Sequence, residues 1–151
     1  MVIPLRKQAP DERGPRGHGE LRWSATWDSR TLTVAEARRA THDFLVRVRD
    51  SGPRDIPDRF LQDAQLVVSE LVTNVIRHAP GPCGMLLEMS ADGTWLRIGV
   101  FDTSGALPQV KPRDGARVGG HGLEITQALS ARLTVTPHGT GKRISAELRV
   151  P

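Results

Sequence analysis

Val68-Ser-Glu-Leu-Val-Thr-Asn74-Val-Ile-Arg-His-Ala79 belongs to a helix that is apolar nearly all round and is interrupted by one polar line. Phe60, Ala64, Val67, Val68, Leu71 and Val75 recur at helical spacing, which predicts a helix from about Asp55–Asp58 through Ala79. Pro80-Gly81-Pro82 cannot continue it. Glu70, Asn74 and His78 follow at steps of four, and each step turns about 40° around the axis, so the three share one gently spiralling line. Two readings stand side by side. The line is a polar seam at the edge of a packed face, or it supplies a carboxylate base and an amide oxygen for a hard cation such as Mg²⁺.

Upstream, Leu21, Trp23, Ala25 and Trp27 alternate with polar residues, the period of a strand with one buried face. Thr33-Val-Ala-Glu36 reads as a capping box, and Val34, Ala37, Phe44, Leu45 and Val48 continue it as a first helix that Ser51-Gly52-Pro53 stops. Downstream, Met85, Leu87 and Met89 alternate up to Ala91-Asp92-Gly93-Thr94, and Leu96, Ile98 and Val100 alternate after it, which is a hairpin. Thr103 to Gly122 has little apolar period and reads as a long loop, and loops of that length are usually functional or disordered. A third helix is expected from about Leu123 to Ala131. A last hairpin then opens with Leu133 and Val135, turns through Pro137–Lys142 and closes with Ile144, Ala146, Leu148 and Val150. Strands come as adjacent hairpins instead of alternating with helices, which predicts an α+β fold: one sheet with helices on one face.

The chain has 151 residues, which suits one domain at roughly 100–200 residues each. With 38% hydrophobic and 25% charged residues it has the makings of a packed core, and intrinsic disorder is excluded. No apolar run approaches the roughly 20 residues of a spanning helix, and no apolar stretch follows Arg6 and Lys7. Neither membrane insertion nor secretion is therefore expected. Cys83 is alone, so no internal disulfide and no cysteine zinc cluster can form, which suits the cytoplasm. Half of the net +4 charge sits in residues 1–19, a Pro/Gly-rich stretch read as a flexible basic tail ahead of a folded domain over 20–151. The folded part is nearly balanced, so direct nucleic-acid binding is not expected.

Two further segments carry chemistry. Asp102 ends an apolar strand and is followed by Thr103-Ser104-Gly105, so its carboxylate could accept from the exocyclic amine of a planar ligand, or could be an ordinary turn carboxylate. Gly119-Gly120-His121-Gly122 leads into the third helix, where a bare backbone and a helix N-terminus suit a phosphate; the plainer reading is a linker. It is neither a Walker motif nor a Rossmann fingerprint.

Taken in order, the helix motif Val68–Ala79, Val100-Phe-Asp102-Thr-Ser-Gly105 and Gly119-Gly-His-Gly-Leu123 resemble the Bergerat-type ATP-binding domain shared by histidine kinases, gyrase B and MutL. The resemblance runs from about Thr31 to Val150. Within that group the chain looks like the small stand-alone, RsbW-like anti-sigma-factor serine kinases common in actinobacteria. It implies a two-layer sandwich of a mixed, mostly antiparallel sheet and three helices. It also implies ATP/ADP as ligand, with Asn74 coordinating Mg²⁺, Glu70 as general base, Asp102 on the adenine amine and Gly105 beside the base. Gly119, Gly120, His121, Gly122 and Leu123 would meet the phosphates, with Thr103–Val118 as a mobile lid. The implied partners are a sigma factor and an antagonist protein phosphorylated on serine, and the implied assembly is a homodimer. Arg38 and Arg39, on the helix that meets the protein partner in such kinases, become interface candidates.

Two positions depart from the pattern. Ser104 stands where the first glycine of an Asp-x-Gly-x-Gly box belongs, and Arg143 is expected where the last hairpin often carries a threonine near the adenine-binding Asp. The alternative is therefore a nucleotide-binding regulatory module without kinase activity. Among the remaining candidates, His42 reads as a helix-surface histidine, His138 as a loop histidine and Cys83 as a small residue at a strand start.

Overall fold

The computed structural model describes residues 21–28, 31, 33–52, 54–78, 81–103 and 122–151. Its elements run β1 (Leu21–Asp28), α1 (Val34–Ser51), α2 (Asp58–His78), β2 (Pro82–Met89), β3 (Trp95–Asp102), α3 (Gly122–Leu129), β4 (Arg132–His138) and β5 (Gly141–Arg149). The tail expected over residues 1–19 and the lid expected between Thr103 and Val118, beyond Thr103 itself, lie outside the described residues.

Local chemistry sets the helix ends. Thr33 caps α1, its hydroxyl accepting from the Glu36 N–H at 3.1 Å, a contact worth about 1 kcal/mol. At the other end the Gly52 N–H donates to the Val48 carbonyl at 2.6 Å. Arg49, in the last turn of α1, reaches Asp58 at 2.8 Å and ties that end to the first turn of α2. Ala37, Thr41, Phe44, Leu45 and Val48 form the buried stripe of α1; eight residues from Phe60 to Val75 form that of α2. The Thr41 hydroxyl stays satisfied by donating to the Ala37 carbonyl at 2.8 Å.

The sheet has the order β1-β2-β3-β5-β4, and all four pairings are antiparallel. The parallel pair that a mixed sheet implies does not occur among the described strands. The reason is the last hairpin: β4 takes the edge, and β5 folds back into the slot beside β3, running opposite to both. Gly139, at φ 58°, lets that hairpin turn on Gly139-Thr140 alone. The turn is therefore shorter than the sequence suggests, and Lys142 is a strand residue. Likewise β2 begins at Pro82, so Cys83 lies inside the sheet.

Strand alternation divides the sheet into two faces. Ala25, Trp27, Met85, Leu87, Met89, Leu96, Ile98, Val100, Ile144, Ala146 and Leu148 are buried on the helix side. On the opposite face Arg22, Glu88, Arg97, Glu147 and Arg132 stand opposite one another in register, one from each strand and alternating in sign. Arg22–Glu88 and Arg97–Glu147 close to 3.1 Å. That row suits water; the core sits between the other face and the helices. Among the described residues no helix is long and apolar enough to cross a membrane.

Candidate functional site

α2 packs against β3, β5 and α3, so the three segments singled out by the sequence are neighbours in the fold. Its buried stripe, with Leu71, Val72 and Val75 fully enclosed, fixes the rotation of the helix. That rotation leaves Glu70 and Asn74 half-buried at the flank of the stripe and His78 exposed as the last helical residue. At 1.5 Å per residue, the Glu70 and Asn74 Cα atoms are separated by about 6 Å along the axis. Both are therefore placed at a margin between core and solvent, where their side chains stay reachable.

Asp102, the last residue of β3, is 3% exposed. In register it stands opposite Cys83 on β2 and Lys142 on β5. The Lys142 ammonium lies 2.9 Å from Asp102 Oδ2, and both side chains are almost wholly enclosed. Charges taken out of water at that depth are tolerable only as a pair; deleting one partner leaves a charge costing about 3–5 kcal/mol. Gly141 makes the arrangement possible. A Cβ there would run into the carbonyl of Asp102 and the Cα of Thr103, so only glycine lets β5 begin against the end of β3.

The residue beside Asp102 differs from the sequence expectation. Arg143 stands opposite Phe101, not Asp102, and points to the charged face of the sheet. Its guanidinium lies across Gly99, and it comes within 4.0 Å of Glu88. Lys142 takes the place assigned to Arg143. The alternation Ile144, Ala146, Leu148, run two residues backward, already points Lys142 inward; a turn drawn too wide hid it.

Cys83 is also buried beside this pair. Burial first, then the charges of Asp28 and Asp102, push its thiol up to about 11, so it remains protonated at neutral pH. It is an inert packing residue within β2.

α3 begins at Gly122, with Leu123 next and Glu124 in its first turn. Gly105, Gly119, Gly120, His121 and Ser104 lie outside the described residues. Arg38 and Arg39 are both exposed on α1, and the Arg38 carbonyl accepts from Gln65 of α2 at 3.2 Å. The structure therefore gathers Asp102, Lys142 and Cys83 into one cluster, keeps Glu70 and Asn74 together on α2, and leaves Arg38 and Arg39 on α1.

Comparison with known proteins gives the same frame. Residues 29–147 match the histidine kinase-like ATPase domain. The fold is similar to the crystal structure of the RsbU and RsbW domains of Rv1364c from Mycobacterium tuberculosis, with a TM-score of 0.62 at 16% identity. That match covers 86% of this chain and 32% of the other, so this chain spans about a third of that longer one. No curated protein sequence matches significantly. The family match takes in most of the chain, including α2, β3 and the start of α3, and the chain belongs to the histidine kinase-like ATPase domain family.

Proposed function

We propose that this protein is a Mg-ATP-dependent serine kinase of the anti-sigma-factor type, binding a sigma factor and phosphorylating a serine of a small antagonist protein. The observation that carries the reading is the placement of Glu70 and Asn74 on one flank of α2, a helix packed against both the strand that ends in Asp102 and the helix that begins at Gly122. That is an acid–base group and a hard oxygen ligand on one helix, next to a strand that ends in a buried acceptor and a helix N-terminus.

The donor set fits the ligands. Asp102 is a buried acceptor suited to the amine of adenine, and the amide oxygen of Asn74 is the kind of ligand that Mg²⁺ takes one or two of while keeping phosphate oxygens and water. When bound, the cation supplies charge neutralisation on the phosphates. In the transfer, the bond between the terminal phosphorus and its bridging oxygen breaks as the serine oxygen bonds to phosphorus, and Glu70 takes the serine proton. Such a reaction asks the protein mostly for positioning and electrostatics, so few groups suffice.

Arg38 and Arg39, exposed on α1, are proposed to face the protein partner. Exchange between ATP and ADP would then shift the preference for sigma factor or antagonist, provided the two nucleotides are bound with different strengths in the two states. The homodimer and the cytoplasmic location belong to the same proposal.

Incubating the protein with labelled ATP and candidate antagonists from the same genome tests it. Stoichiometric label on serine is the expected result. Nucleotide binding with no transfer to any partner would leave a nucleotide-binding module without kinase activity.

A further inference from the structure

Among the described strands β1 forms one edge of the sheet and β4 the other. An edge strand carries a row of unpaired backbone N–H and C=O groups, and it is either blunted or open to another strand. β4 is blunted, because Pro137 removes a donor from it. β1 carries no proline, glycine or lysine over Leu21–Asp28. Its helix side is also unevenly covered. α1 packs over β2, and α2 over β3 and β5. Ala25 and Trp27 are buried, whereas Leu21 is 39% exposed and Trp23 half-buried.

The sequence of β1 is complementary to itself. Two copies joined edge to edge by a two-fold axis run antiparallel, and only registers that keep helix side with helix side extend the sheet. Centred on Ala25, such a pairing sets Arg22 opposite Asp28, Trp23 opposite Trp27 and Ser24 opposite Thr26 of the second copy, each twice. No other two-fold register brings Arg22 to Asp28. The charged row on the outer face gains a member by it. Arg132, Glu147, Arg97, Glu88 and Arg22 alternate in sign across the sheet, and Asp28 of the second copy comes next. Opposite charges and aromatic pairs directly across from one another stabilise antiparallel strands. The same operation on β4, centred on Val135, sets Arg132 opposite His138, two groups with no attraction.

We infer that β1 is an interface between two copies of this chain, which join antiparallel about Ala25 and run their five-stranded sheets into one. The inference rests on the homodimer included in the proposed function and names its surface. It does not depend on the nucleotide or on the transfer chemistry of α2.

Paired cysteines test the register. Residues directly opposite in an antiparallel pair have Cα atoms about 4.5–5.5 Å apart, within reach of a disulfide. Ser24 and Thr26 lie on the outer face, away from the core, and Cys83 is buried in β2. Sedimentation of the native chain at about 50 μM should show a dimer. Mild oxidation of an equal mixture of Ser24→Cys and Thr26→Cys should link up to about half of the chains, the share that random pairing makes heterodimers. Neither variant alone should link, because like positions are offset along the strands. Asp28→Arg sets like charges against each other at both ends of the pairing and should raise the dimer dissociation constant by about tenfold. A monomeric native chain overturns the inference and the homodimer together, leaving the nucleotide and kinase reading intact. A dimer whose mixture links no better than the single variants, or one that Asp28→Arg leaves as tight, overturns the β1 interface alone.

Discussion

Gly141 begins β5 against the backbone of Asp102, so closely that a Cβ at Gly141 would collide with the Asp102 carbonyl. The inward carboxylate and the glycine across the strand are thus one construction. Gly141→Ala should shift the end of β3, cost about 1–3 kcal/mol as overpacking does, and weaken ATP binding with it. Gly139→Ala, in the open turn at φ 58°, is the control: it should cost about 1 kcal/mol for the left-handed backbone and leave binding intact. Urea denaturation and calorimetry on the two variants make the comparison.

The Lys142–Asp102 pair also predicts a coupling in stability. Lys142→Met alone takes the ammonium away from the buried Asp102 carboxylate, with an expected loss of about 3–5 kcal/mol. Adding Asp102→Asn removes the stranded charge and should return a large part of that loss. Additive losses in a double-mutant cycle would mean that the two groups do not sense each other.

In the proposed reaction Glu70 takes the proton of the attacking serine and makes no contact with the base. Glu70→Ala should lower phosphoryl transfer by about 10²–10⁴-fold while the ATP dissociation constant stays where it was. Full transfer by the variant would remove Glu70 from the chemistry.

Cys83 predicts a pH dependence whose sign follows from its burial. Its thiol has an ordinary value of 9.0 and is raised to about 11 in the fold. Between those two values the unfolded chain loses this proton and the folded chain keeps it, so the contribution is fully present below pH 9 and fades as pH rises toward 11. The gap of two units corresponds to about 2–3 kcal/mol. The difference in stability between native protein and Cys83→Ser, followed from pH 8 to pH 11, isolates this term from other groups that titrate there. A difference that stays flat across the range contradicts it.

Much of this was legible in the sequence because strong periods and strong punctuation coincide. The Thr33 cap, the apolar stripe ending before Pro80 and the alternation around Ala91–Thr94 each place an element within a few residues of where it lies. Sheet order was less accessible. Strand periods specify which face is buried, but the insertion of β5 between β3 and β4 depends on long-range pairing that no local pattern encodes. The same gap explains the exchange of Arg143 for Lys142 beside Asp102. Only the register of β3 on β5 says which residue meets the carboxylate, and a one-residue error moves a side chain to the other face.

The most direct test is calorimetric titration with ATP and with ADP, each with and without Mg²⁺, on the native protein and on Asn74→Ala. The account predicts ATP binding that requires Mg²⁺ in the native protein and is lost in the variant while its fold is kept. Failure of well-folded native protein to bind either nucleotide, or binding by Asn74→Ala that still responds fully to Mg²⁺, would contradict it.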